Sequence, residues 1–106
     1  MLIMVAGPYS ADTESKREKN LEKINHAAVQ VAQKGHVPVV GVNAALPVVR
    51  TGNFADPYSE IMRISLALAD RCDAIFCLGS SKGVEMEKDV FIKKGLPVYG
   101  DIQELP

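Results

Sequence analysis

The sequence predicts a three-layer α/β sandwich around a mostly parallel sheet of four or five strands. Short apolar runs alternate with longer stretches of helical periodicity, the order produced by consecutive βαβ units. The runs are nearly all Val, Ile, Leu and other apolar residues with little polar alternation, as in strands covered by helices on both faces. Glycines stand where helical patterns stop, at Gly35 and Gly95. At 106 residues the chain has the size of a single domain, read here as 1–106. The predicted type is Rossmann-like or flavodoxin-like.

Leu2 to Ala6 is the first strand. Ser15 to Lys34 follows as a helix, because Leu21, Ile24, Ala28 and Val31 recur at spacings of three, four and three and so share one face. Val37 to Val42 is the second strand. The segment from Asn43 to Ala55 fits neither period, and irregular connections of that length are often functional, so it is read as a candidate lid. A helix restarts at Asp56, whose carboxylate can cap it, with Pro57 at the first helical position, where a missing N–H costs nothing. Ile61, Ile64 and Leu68 are its expected buried stripe. Ala74 to Leu78 is the third strand, about Val84 to Lys94 the third helix, and Leu96 to Tyr99 the fourth strand. Every strand is expected to be central or nearly so, the first and third nearest the middle of the sheet.

Twelve Lys and Arg against thirteen Asp and Glu leave a formal net charge of -1. No overall field recruits a nucleic acid polymer or an anionic membrane, and any affinity for phosphate must be local. The cluster Glu14-Ser15-Lys16-Arg17-Glu18-Lys19 reads as the solvated first turns of a helix. No apolar run approaches the roughly 20 residues that span a bilayer, and Leu2 to Ala6 has no basic flank, so a cytoplasmic protein is expected. Cys72 and Cys77 fit neither a disulfide framework nor a metal knuckle and read as reduced core thiols. His26 and His36 lie in different elements without ligand spacing, so no metal and no other cofactor is expected.

In open parallel sheets, ligands bind beyond the carboxyl ends of the strands, where helix N-termini present free N–H groups. Two turns suit this: Ala6-Gly7-Pro8-Tyr9-Ser10 after the first strand and Gly79-Ser80-Ser81-Lys82-Gly83 after the third. Neither matches GxGxxG or the P-loop spacing, which argues against a dinucleotide fold and a P-loop NTPase. Glu87 adds the chemistry. At about 100° per residue its carboxylate falls between Val90 and Phe91 on the inward face of the last helix, whereas Glu85 and Asp89 point away. A carboxylate in an apolar stripe is costly unless something uses it, and the nearby helix N-terminus helps keep it ionised. Asn20 shares the side of Ile24 and Val31 and is placed to face the crevice.

Taken in order, AGPYS after the first strand, Asn20, CDAIFCLG as the third strand and SSKGVEME entering the last helix resemble the nucleoside 2-deoxyribosyltransferase superfamily, in particular its small bacterial and phage members. The resemblance spans nearly the whole chain. It implies that Glu87, four residues after the Gly of SxGxxxE, is a nucleophile that attacks C1′ of a nucleoside or nucleotide and releases the base through a glycosyl-enzyme ester. It implies substrate contacts from Gly7, Pro8, Tyr9, Asn20, Ser81 and Gly83. In the nucleoside monophosphate N-glycosidases of the superfamily the residue at Ser81 contacts the 5′-phosphate, with Lys82 able to add charge. A small-molecule nucleoside or nucleotide is the implied partner, and a homo-oligomer the implied assembly.

Two positions depart from the superfamily pattern. The Tyr that orients the nucleophile corresponds to Met4, which cannot donate a hydrogen bond, leaving Tyr9 as a substitute. The general acid Asp corresponds to Ser65. The leading expectation is therefore a nucleoside or nucleoside 5′-monophosphate N-glycosidase or 2-deoxyribosyltransferase-like enzyme. The alternatives are a non-catalytic nucleotide-binding or sensor domain that keeps the crevice, and an interaction protein whose glycine turns are only structural.

Overall fold

In the computed structural model, which describes residues 1–106, four strands form one all-parallel sheet of order β2-β1-β3-β4. β1 (Leu2–Ala6) pairs with β2 (Val37–Val39) on one side and β3 (Ala74–Cys77) on the other, and β4 (Val98–Tyr99) pairs with β3. The three-layer α/β sandwich expected from the sequence is the observed fold. No helix is long and apolar enough to cross a membrane.

The period-2 geometry of a strand divides the core. Ile3, Val5, Ala74 and Phe76 point to one face, where α1 (Glu14–Gln33) covers them with Ile24, Ala27 and Val31. Leu105, just beyond the short 3-10 turn Ile102–Glu104, completes that cluster. Met4, Ala6, Ile75 and Cys77 point the other way, against Ala69 and Cys72 at the end of α3 (Pro57–Ala69) and Val84 and Phe91 of α4 (Lys82–Lys94). Both cysteines are buried free thiols.

Local chemistry sets the helix ends. Thr13 caps α1 by accepting from the Lys16 amide, Asp56 caps α3 through the Ser59 amide with Pro57 next to it, and Ser81 caps α4 through the Val84 amide. Gly35 and Gly95 take the left-handed conformation just beyond α1 and α4, at φ 90° and 69°, which an L side chain rarely adopts.

Four expectations are corrected. The segment read as a lid from Asn43 to Ala55 is largely helix: α2 spans Gly41–Thr51. Val42, Ala45, Leu46 and Val49 follow helical spacing, but Pro47 at its centre reads as a breaker, since proline removes a helical N–H and crowds the carbonyl four residues back. Packing of α2 on α3 outweighs that penalty. In α3 the fully buried residues are Met62, Ser65 and Ala69, while Ile61, Ile64 and Leu68 are half-buried. The stripe turns by one residue because α3 is gripped between α2 and α4 rather than by the sheet alone. Finally, β2 and β4 are edges, not near-central strands, of three and two residues, and Val37 is 59 % exposed. In α1 the inward alanine is Ala27, with Ala28 half-buried.

Gly41 makes the approach of α2 to α3 possible. A Cβ there would overlap Ser65 Oγ and lie 2.7 Å from Ser65 Cβ and 3.1 Å from its Cα, so backbone would have to move. Gly41→Ala is expected to destabilise the fold by about 1–3 kcal/mol or more. A drop in Tm of at least about 5 °C in a thermal melt checks this.

Candidate functional site

Strand order β2-β1-β3-β4 means that the chain runs outward from β1 to β2 and then restarts at β3 in the opposite direction. The point of reversal, between β1 and β3, is where loops diverge and leave a crevice at the carboxyl ends of the strands. A cleft of about 620 Å³ opens there. Its floor comes from the turn after β1, Gly7 to Ala11, and its far wall from the start of α4, Ser81 to Val84, with Glu87 one turn further in. α2 contributes an apolar wall of Val42, Leu46 and Val49, and α3 adds Tyr58, Ile61 and Met62.

Gly7 packs closely in this floor: a Cβ would come within 3.0 Å of Ile24 Cγ1 and 3.3 Å of Leu78, so those side chains would have to give way slightly. At the α4 end, the Ser81 hydroxyl accepts from the Val84 amide at 3.2 Å, and the Lys82 and Gly83 amides make no hydrogen bond within the protein. Two free N–H groups and the positive end of a helix therefore stand at one end of the cleft, and Lys82, exposed and without an ion-pair partner, is part of the lining there. Tyr58 lies over the same corner, its hydroxyl 3.4 Å from where a Gly83 Cβ would sit.

Glu87 lies on the inward face of α4, as the wheel predicts, while Glu85 and Asp89 are exposed and pair with Lys88 and Lys93. The Ser65 hydroxyl donates to Glu87 Oε2 at 2.8 Å. Burial pushes the Glu87 carboxyl above the ordinary carboxylate range, and the Ser65 hydrogen bond only partly opposes it. Burial also pushes the Cys77 thiol up to about 11, which leaves it a poor nucleophile at neutral pH.

Of the residues singled out from sequence, Gly7, Pro8, Tyr9, Ser81, Gly83 and Glu87 line this one cleft. Asn20 does not. Its amide donates to the Tyr9 carbonyl at 3.0 Å, which braces the β1 turn that forms the cleft floor. Met4 is fully buried in the core, and the hydroxyl that reaches Glu87 belongs to Ser65, not Tyr9.

Residues 1–99 match the family model described as Domain of unknown function (DUF4406). The chain belongs to the DUF4406 family. No curated protein and no solved structure matches it. In this DUF4406 chain the matched residues include every wall of the cleft, while the final turn that seats Leu105 lies beyond them.

Sequence reasoning missed part of the lining. In the charge cluster read as solvated, Glu14 is exposed and Arg17 half-buried, and both also border the cleft, where Glu14 pairs with Arg17 at 2.9 Å and with Arg50 of α2 at 3.1 Å. The remaining members, Lys16, Glu18 and Lys19, are exposed as read. Arg50 and the α2 wall were hidden by the apparent break at Pro47. Tyr58 had a signal, an aromatic beside a helix cap.

The raised Glu87 ionisation has a consequence for stability. Its folded pKa exceeds its unfolded one, so the folded state holds the proton more tightly, and stability falls as pH rises from below the ordinary Glu range through the raised value. Glu87→Gln, which keeps the Ser65 contact without charge, is expected to melt a few degrees higher than wild type at pH 8. That advantage should shrink toward pH 4, as paired melts across the range would show.

Proposed function

We propose that this DUF4406 protein is a nucleoside or nucleoside 5′-monophosphate N-glycosidase, or 2-deoxyribosyltransferase-like enzyme, with Glu87 as its nucleophile. The observation that carries the reading is a single one: a carboxylate without a cationic partner, hydrogen-bonded by a buried serine, stands in a cleft beside a helix N-terminus that offers two free amides. The resemblance in AGPYS, CDAIFCLG and SSKGVEME points to the same residue.

The chemistry follows from the order of groups along the cleft. A 5′-phosphate bound by the Lys82 and Gly83 amides, the Ser81 hydroxyl and the Lys82 ammonium would be anchored one helical turn from Glu87. The sugar would then lie over the carboxylate, and the base would be left to the Tyr9 ring and the apolar wall of α2. Attack at C1′ expels the base through an oxocarbenium-like transition state, and water or a second base resolves the ester. A homo-oligomeric, cytoplasmic enzyme belongs to the same reading.

A non-catalytic nucleotide-binding or sensor domain is the second reading, and one observation favours it. The position that holds the general acid in the superfamily is Ser65, and its hydroxyl is committed to Glu87. Glu14, the other carboxylate lining the cleft, is committed to two arginines. Without an acid, base departure loses the roughly 10²–10⁴-fold that such a group supplies.

Free base released from a panel of nucleosides and 5′-monophosphates separates the two. Under the enzyme reading, Glu87→Ala abolishes release while ligand affinity stays within about tenfold, because an interaction made in the transition state need not contribute to ground-state binding. Thermal stabilisation by ligand with no base release from wild type supports the binding domain instead. Ser81→Asp is expected to weaken monophosphate binding by like-charge repulsion while sparing the nucleoside. Equal losses for both ligands in calorimetry count against the phosphate assignment.

A further inference from the structure

We propose that Ser65 is the positioning residue of the nucleophile, pinning Glu87 Oε2 so that Oε1 is the oxygen presented to the sugar. The inference rests on the glycosidase reading above, and deepens it by replacing the orienting group that Met4 cannot supply. Ser65 is 2 % exposed and is the one polar side chain among the fully buried residues. A serine on the inner face of a helix commonly turns back to a carbonyl of its own preceding turn. Ser65 instead donates across to α4, at 2.8 Å, and that is its only side-chain hydrogen bond.

The hydroxyl is held in that direction by packing. Gly41 of α2 sits so close to Ser65 that even a methyl group would overlap Oγ. α2, α3 and α4 are thereby coupled through one glycine, one serine and one carboxylate.

No other group does this work. Glu87 takes part in none of the ion pairs. The titratable groups around it are Tyr9 from the β1 turn, Glu14 and Arg17 from α1, Arg50 from α2, Tyr58 from α3, Lys82, Glu85 and Lys88 from α4 and Cys77 from β3. None of them opposes the effect of burial on the carboxyl; the Ser65 hydrogen bond is the one contact that does, and only in part.

With Oε2 engaged, the electron balance is simple. Oε1 forms a bond to C1′ as the C1′–N bond breaks, and its electron pair leaves with the base, which takes a proton from water. In the ester, Oε2 is the carbonyl oxygen and still accepts from Ser65. Water then bonds to C1′, the C1′–Oε1 pair returns to the carboxylate, and the surplus proton goes to solvent. Ser65 favours the anionic carboxylate at the start and at the end of the cycle.

The test is Ser65→Ala in the full chain, with the Glu87 carboxyl followed by carbon-13 NMR titration and base release followed against pH. The expected result is a titration midpoint moved upward by about half a pH unit or more, because a donor that favours the charged form is gone. The acid limb of kcat should move with it, and kcat at pH 7 should fall about 10- to 100-fold, as for loss of a hydrogen bond to a charged group, with KM within about threefold. Ser65→Cys, a weak donor, should fall between. An unmoved midpoint overturns the proposal even if turnover is lost, since that pattern means a merely structural serine. A moved midpoint with wild-type kcat in Ser65→Ala overturns the positioning role alone, whereas a wild type that releases no base sinks the enzyme reading and the positioning role with it.

Discussion

The whole molecule depends on burying β1 on both faces. Its last four residues are almost fully inaccessible, and it is hydrogen-bonded to a neighbour on each side. A strand so placed must send alternate side chains into two separate cores, so Ile3 and Val5 serve the α1 layer while Met4 and Ala6 serve the α3 and α4 layer. Because β1 is also where the chain reverses its progress across the sheet, its carboxyl end is where the layers part. The cleft is a consequence of the strand order before it is a consequence of any functional residue.

A second constraint is superposed on that frame. A carboxylate set on the apolar face of α4 loses hydration, which disfavours its charged form. The fold answers with one neutral hydrogen bond and no cation. A cation would hold Glu87 ionised more strongly but would also tie up its electron pairs, whereas a single hydroxyl leaves one oxygen unoccupied. Under the proposed function, that unoccupied oxygen is the one that reacts, and the cost of burying the carboxyl is the cost in stability of a functional site.

Charge in the cleft is sorted by place. Lys82 and the free amides of α4 make one corner attractive to an anion, while Arg17 and Arg50 at the opposite mouth share Glu14 between them. The chain as a whole has a formal charge of -1, so this local excess of positive groups is not an echo of composition. Between the two lies an apolar wall from α2, which gives the cleft one polar corner and one flat greasy side, the usual complement of a small ligand with unlike ends.

Much of this was legible in the residues. Helix ends were readable at Asp56, Pro57, Gly35 and Gly95 because capping and left-handed turns depend on the chemistry of one or two positions. The inward face of Glu87 was readable because α4 buries a simple stripe, Val84 and Phe91, whose spacing fixes the wheel. What sequence could not decide were features set by contacts between distant segments. α2 is helical although Pro47 argues against it, since its stability comes from α3, and the buried stripe of α3 is turned because two helices, not one sheet, press on it. Asn20 has the right face but spends its amide on the Tyr9 carbonyl. Above all, the resemblance puts Ser65 and Glu87 in one site, but nothing along the chain shows that they are hydrogen-bonded or that Gly41 packs on Ser65. Local propensity and periodicity are written residue by residue, whereas that meeting exists only once three helices have been packed together.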